Sequence, residues 1–550
     1  MVMLLPAAHG PQHINYSMNY TIGSGPGNPG LTNIRKQPRP DKDRMVRDGP
    51  GSGKVVLLRT VRGREKIEEL CADILQDESN LAGAWCRMAA WPETPRQVRD
   101  TVDLCAGEGL HVTVSGGLTG IAGGALPEGG AVISTSMLRD MEMLDSRTVR
   151  AGAGVTLQEL RGFLAGEAGE VFYPPDPTEE TASVGGTIAT DASGSDSYLY
   201  GATRKWTRSL TVMVPDHGLL EVRRGEHLFS GNICRHPVLG DIRLPELVRP
   251  QPPKNAAGYN IWPDMDLLDL FIGSEGTLGV IVQAELELAP VPEYVIDLAV
   301  FPGNASSFWD LFDAMGSHVP ELRLRALEMM DDRCVEFLRE HPGELPPLPE
   351  GARFVLLLRA EARNDDEMER TLMTLDDALV DCGVDPNSAW GGFEPSERKR
   401  IRDFRHALPE SVNHRISQLR REFPGIHKFG SDGAVKPGEL REYYARTGEI
   451  LTGLDLPFLI FGHSGQGHLH ANAIPEDPDS LHRAEEAMRD IAAAAVGMEG
   501  TISAEHGLGR LKLPYLSLMY SPGEIAGMEA IRRTIDPHRT LARAMEFPVV

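Results

Sequence analysis

Cysteine is scarce: six residues in 550 (Cys71, Cys86, Cys105, Cys234, Cys334 and Cys382), none of them in a C-x-x-C pair. That excludes an encoded iron–sulfur cluster or zinc knuckle and leaves scattered thiols as buried, reduced packing residues. Positive charge is short as well, with 55 Lys and Arg against 79 Asp and Glu, a net charge of −24. No cationic surface can dominate, which excludes a nucleic-acid partner and favours a basic protein one. No apolar run nears the ~18 residues of a membrane span, and the opening MVMLLPAAHG has no secretory pattern. The expectation is a cytoplasmic protein, with peripheral membrane association and homo-oligomerisation left open. A phosphate loop is missing too. GPGSGK at 49–54 is one residue short, and Val55 stands where Ser or Thr would hold Mg²⁺.

A chain of 550 residues exceeds one core, so two or more domains are expected. Residues 1–57 are Gly/Pro/Asn-rich without periodicity and read as an irregular arm. Helical patterns follow at 61–82 and 94–110, the second capped by Thr94. The strand HVTV then runs into SGGLTGIAGGALPEGG at 115–130, which is not a G-x-G-x-x-G turn. Glycines there let backbone N–H groups approach a pyrophosphate closely. Two further loops of this kind are YPPDPTEETASVGGTIATDASG at 173–194 and FIGSEGTLGVIVQAELEL at 271–288. Each alone is an ordinary surface loop. Three together, all at strand ends, read as the wall of one elongated dinucleotide site. Beyond 291 the pattern alternates: strands VIDLAVF and RFVLLLRAEA, helices at 306–318, 365–383 and 522–535. An antiparallel sheet backed by helices is the natural arrangement.

The stretch PFLIFGHSGQGHLHANAIP at 457–475 reads as a hairpin around SGQG. Alternation puts His468, His470 and Asn472 on one face and Leu469 and Ala471 on the other, with His463 ending the facing strand. GTISAEHGLG at 500–509 adds Glu505 and His506. Neutral imidazoles plus a carboxylate, with one position open, suit a catalytic Zn²⁺ or similar ion. The plainer alternative is a core hairpin whose histidines bond to backbone.

The ordered set SGGLTGIAGGA, PPDPTEETASVGGTIATDASG, KNAAGYN, GSEGTLGVI, FGHSGQGHLHAN and SAEHGLGRLK resembles the flavin-dependent D-2-hydroxyacid dehydrogenases from about residue 91 onward. That group includes D-lactate dehydrogenase, the glycolate oxidase flavin subunit and D-2-hydroxyglutarate dehydrogenase. The resemblance implies an α+β chain with a vanillyl-alcohol-oxidase-type FAD domain of two α/β subdomains and a cap with an antiparallel sheet. The expected boundaries are 1–57 for the arm, 58–290 for the FAD domain, 291–500 for the substrate or cap domain and 501–550 for a segment returning to the FAD domain. It further implies FAD against Ser115, Gly116, Gly117, Leu118, Thr119, Gly120, Pro175, Asp176, Gly185, Gly186, Thr187 and Ile281. His463, His470 and Glu505 resemble metal ligands, with Asn472 beside them. His506 resembles the catalytic base, and Arg405 and Lys428 match positions that hold a substrate carboxylate.

The chain departs from the family in places. Gly465-Gln466-Gly467-His468 stands where G-D-G-N is common, leaving His468 as a further ligand, a supporting donor or a solvent-facing side chain. TDASG replaces T-N-A-G-G, Lys205-Trp206 replaces an acidic or amide-bearing stretch, and Pro409 replaces a hydroxyl found in some relatives. The implied reaction is FAD-dependent oxidation of a D-lactate-like D-2-hydroxy acid to its 2-oxo acid. Electrons would leave to a cytochrome, quinone, electron-transfer flavoprotein, iron–sulfur subunit or oxygen. The alternatives are an ether-lipid synthase of the alkylglycerone-phosphate type and a non-catalytic flavoprotein subunit. The His-rich hairpin plus SAEHG favours the metal-dependent hydroxyacid branch.

Overall fold

The computed structural model describes residues 58–247, 252, 254–317, 319–341 and 345–547. The arm at 1–57, with its rejected phosphate-loop segment, lies outside the described residues. Two larger sheets, beside two short two-stranded ones, build the first half. In the smaller, Arg59–Arg62, Met88–Trp91, Ala131–Ser134 and Val112–Ser115 stand side by side, the last three parallel. The other is antiparallel and runs Met141–Asp145, Thr148–Gly152, Val280–Glu287, Thr207–Val214, Gly218–Arg223. The helix Pro95–Gly107 is capped by Thr94, whose hydroxyl accepts from Gln97 N–H at 3.2 Å. It packs against strands of both sheets and joins them into one core. The expected helix at 61–82 is shorter. Val61 pairs with Ala89 in a strand, Gly63 turns the chain at φ +96°, and the helix covers only Arg64–Leu70 before a 3-10 turn at Ala72–Leu75. Tertiary pairing with Met88–Trp91 overrides the local helical pattern.

The second half is an eight-stranded antiparallel sheet ordered Trp390–Gly392, Tyr294–Val300, Val355–Ala362, Leu324–Met330, Phe458–Gly462, His468–Ala473, Phe429–Gly430, with Gly433–Ala434 pairing beside it. The start of Val355–Ala362, Val355–Leu358, is apolar without alternation because both of its faces are covered. Leu356, Leu358 and Ala360 join one core, with helices Ala305–Ser317 and Asp365–Asp381. Val355 and Leu357 join another, with helices Asp332–Glu340 and Pro395–Glu422. Pro409 lies inside the 28-residue helix Pro395–Glu422. A proline there costs about 3 kcal/mol. The stripe Ile401, Phe404, Leu408, Val412, Ile416 and Leu419 outweighs it, at about 1.5–3 kcal/mol for each buried side chain.

The chain then returns to the first half. Val112 N–H donates to Thr540 O at 2.6 Å and Ala542 N–H to Val112 O at 2.7 Å, which adds residues 540–542 to the edge of the smaller sheet. Arg532, fully buried, fixes this return by donating to the carbonyls of Leu541, Ala542 and Met545. The residues that follow the hairpin are thereby carried back against the glycine loops.

Candidate active site

All three glycine loops line one cavity of about 340 Å³, and His463, Glu505 and His506 line it too. Gly116, Gly117, Leu118, Thr119, Gly120, Gly185, Gly186, Thr187 and Ile281 are in its wall. Ser115, Pro175 and Asp176 are not among the lining residues. The Ser115 hydroxyl is buried without a protein partner, Pro175 is buried, and Asp176 pairs with Arg161 and, at 3.5 Å, with Arg359. The second loop leaves the short strand Val171–Phe172 and enters the short helix Val184–Ala189, whose cap is Ser183. Ser183 Oγ accepts from both Gly117 N–H and Gly186 N–H at 3.2 Å, which ties the first two loops together. A Cβ on Gly116 would stand 2.6 Å from that oxygen, so glycine is required for this closure. A Cβ on Gly120 would meet nothing within 4 Å and would enter open space. Backbone this close to an elongated cavity fits an extended dinucleotide.

The third loop reaches the opposite wall through Glu275. Its carboxylate accepts from Leu508 N–H at 2.8 Å and Gly509 N–H at 2.9 Å, and so holds the turn that follows His506. Burial pushes the Glu275 carboxyl up to about 7, against the pull of those two N–H groups and of Lys512. A raised pKa in the folded state means that the contribution is present below the ordinary carboxylate range and is lost as pH rises through about 7. The melting temperature is expected to fall between pH 6 and pH 8 in the wild type and to fall less in Glu275→Gln. Equal slopes in the two proteins would contradict this role.

At the hairpin, Gly467 has φ +71°, and a Cβ there would stand 2.0 Å from Val435 O. The tight turn brings His463, His468 and His470 together, with ring centroids 4.4–5.8 Å apart. Leu469 and Ala471 enter the core on the other face, as the alternation predicts. His463 Nε2, His470 Nε2 and His506 Nε2 stand 3.5, 3.3 and 3.5 Å from Glu505 Oε1. Atoms held about 2.0–2.1 Å from one tetrahedral ion are about 3.3–3.4 Å apart, so this spacing suits a shared cation better than direct hydrogen bonds. The tautomers of His463 and His470 agree. His463 Nδ1 donates to Glu328 at 2.7 Å and His470 Nδ1 to the Ser431 carbonyl at 3.4 Å, which leaves each Nε2 with its lone pair. The backbone-bonded alternative therefore accounts for only one nitrogen of this group, and the residues fit a divalent ion.

The electrostatics follow from burial and close partners. Burial opposes charge on Glu505, but Lys254 and His463 hold its carboxyl well below the usual range. Burial likewise opposes charge on His463, yet Glu505 and Glu328 raise it, whereas His470 is lowered by burial. His468 is not solvent-facing. It is fully buried, and burial together with the Lys254 ammonium keeps it well below its ordinary pKa. Asn472 is buried on the same strand. Arg405 pairs with Glu328, the carboxylate that orients His463, and donates to Thr178 Oγ1 at 3.3 Å. Lys428 does not line the cavity: its Nζ donates to Asn413 Oδ1 at 2.8 Å.

Three residues escape sequence reasoning. Glu328 is a carboxylate in a wholly buried strand, Leu324–Met330, and that anomaly alone could have flagged it. Lys254 lies in KNAAGYN, where nothing local says that its ammonium meets Glu505 at 2.8 Å. Asp432 has no motif. It collects His468, Lys512, Ser503 and the His506 backbone only through folding.

Residues 87–223 match the family described as FAD binding domain, and 300–545 match FAD linked oxidases, C-terminal domain. Fold and site thus define an FAD-linked oxidoreductase. The chain is 30% identical to D-2-hydroxyglutarate dehydrogenase of Xanthomonas citri pv. viticola over 82% of its length and 87% of that protein. It is 28% identical to D-lactate dehydrogenase of Anaerostipes hadrus over 86% and 92%. It belongs to the FAD-linked D-2-hydroxyacid dehydrogenase family. Among solved structures, 4-ethylphenol oxidase from Gulosibacter chungangensis superimposes with a TM-score of 0.63 at 15% identity, covering 88% of this chain and 94% of that one. An alkyldihydroxyacetonephosphate synthase gives 0.57 at 16% identity, covering 84% and 76%. These two likenesses carry the fold alone, which is of the vanillyl-alcohol-oxidase type.

Proposed function

We propose that the protein oxidises a small, D-lactate-like D-2-hydroxy acid to its 2-oxo acid with FAD and a divalent ion, Zn²⁺ being the natural candidate. The observation that carries this is the convergence of three imidazole Nε2 atoms on Glu505 Oε1 at the wall of the glycine-loop cavity. The phosphates of FAD would lie against Gly116–Gly120 and Gly185–Thr187, and the ion against His463, His470 and Glu505. When bound, the ion withdraws charge from the substrate hydroxyl and FAD accepts the α-hydrogen with its electron pair. His506 takes the hydroxyl proton, and its ring lies stacked 5.4 Å from His470. Arg405 holds the substrate carboxylate. FAD held there would pass the two electrons to an external acceptor, a cytochrome, quinone, electron-transfer flavoprotein or iron–sulfur subunit. The His/Glu group favours this reading over ether-lipid synthesis and over a non-catalytic subunit.

The test is steady-state oxidation of D-lactate with a dye as acceptor, in wild type and Arg405 variants. Arg405→Ala is expected to raise KM at least ~10-fold with FAD content unchanged, and Arg405→Lys to recover only part, since an ammonium lacks the guanidinium fork. An unchanged KM in Arg405→Ala would remove Arg405 from substrate binding. Gly186→Val is expected to yield colourless protein, because its side chain intrudes on the flavin wall. Full flavin content in that variant would move the phosphates elsewhere.

A further inference from the structure

Behind the proposed ligands lies a closed ring of polar side chains, all of them buried except His506. Glu505 Oε2 accepts from Lys254 Nζ at 2.8 Å and from Ser193 Oγ at 3.1 Å, which leaves only Oε1 facing the three imidazoles. Lys254 Nζ is 3.0 Å from His468 Nδ1, and His468 Nε2 is 2.9 Å from Asp432 Oδ1. Asp432 Oδ2 accepts from His506 N–H at 3.1 Å and stands 3.3 Å from His506 Nδ1. His506 Nε2 returns to Glu505 Oε1. An ammonium only donates and a carboxylate only accepts. His468 must therefore accept at Nδ1 and donate at Nε2, and neither nitrogen is left for a metal.

We propose that His468 is a positioning residue: a neutral donor–acceptor bridge from Lys254 to Asp432 that keeps Glu505 on a single ligand oxygen and His506 in orientation. The inference rests on the metal and base roles proposed above. It also explains the departure from G-D-G-N. An asparagine amide accepts at its oxygen and donates at its nitrogen, so Asn and His can serve the same bridge while an apolar residue cannot. Removing the bridge leaves Asp432 Oδ1 unpaired in a fully buried site and frees Lys254 to shift.

The experiment compares wild type, His468→Asn and His468→Leu for Zn²⁺ affinity by chelator competition, for FAD content, and for flavin reduction across pH. His468→Leu is expected to weaken Zn²⁺ binding by about 10–100-fold and to slow reduction, with FAD retained. His468→Asn is expected to stay within about threefold of wild type, a rescue that simple packing would not produce. Should His468→Leu fail to fold, Lys254→Met cuts the ring at its next member and is expected to show the same losses. Equal Zn²⁺ affinity in wild type and His468→Leu overturns the proposal. Loss of Zn²⁺ in His468→Asn as complete as in His468→Leu also overturns it, and makes His468 a ligand. If wild type takes up no ion, the metal reading itself fails. The bridge is then judged on reduction rates, where Leu slower than Asn supports it and equal rates reject it.

Discussion

Replacing His506 with Asn is expected to slow flavin reduction by about 10²–10⁴-fold, the usual cost of losing a general base. Asn keeps a polar group of similar size beside Glu505 but cannot take up the hydroxyl proton. His506 is the group in this cluster best placed for that task. Its side chain is 26% exposed and lines the cavity, whereas His468 is fully buried with both nitrogens engaged. The FAD content of His506→Asn should match wild type, because its ring is no part of the glycine wall. Rapid mixing separates this loss from the KM effect at Arg405, since the two act at different steps. Reduction at the wild-type rate across pH would dismiss His506 as the base.

Stripping the divalent ion is expected to abolish substrate-driven reduction while the flavin spectrum persists. The ligands come from the hairpin and the turn after Thr501, and the phosphate wall comes from the glycine loops of the first half, so one can empty without the other. Restoring Zn²⁺ should restore the rate. Glu505→Gln should reproduce the loss and resist rescue. It removes the anionic oxygen that the three Nε2 atoms face and also leaves the Lys254 ammonium without its carboxylate partner. Full activity in rigorously metal-free protein would overturn the ligand assignment.

How much of this was legible varied with the range of the interaction. The helix Pro522–Ile535 is written locally, with a Ser521/Glu524 capping box at its start and Asp536-Pro537 after its end. The hairpin is equally local, since alternation alone sends Leu469 inward and His468 and His470 to the site. Helix 61–82 failed because strand pairing with Met88–Trp91 captured Val61, a contact no window of sequence contains. The ring through Lys254, His468 and Asp432 joins residues up to 251 positions apart and has no local pattern at all. No helix among the described residues is long and apolar enough to cross a membrane, in keeping with the absence of such a run in the sequence.

The most direct measurement is anaerobic mixing of purified, Zn²⁺-replete protein with a panel of D- and L-2-hydroxy acids while the flavin absorbance is followed. A small D-2-hydroxy acid such as D-lactate is expected to bleach the flavin and yield one 2-oxo acid per FAD, with the L-enantiomer inactive. Flavin that dithionite reduces but that stays oxidised with every D-acid in the panel would contradict the proposed activity.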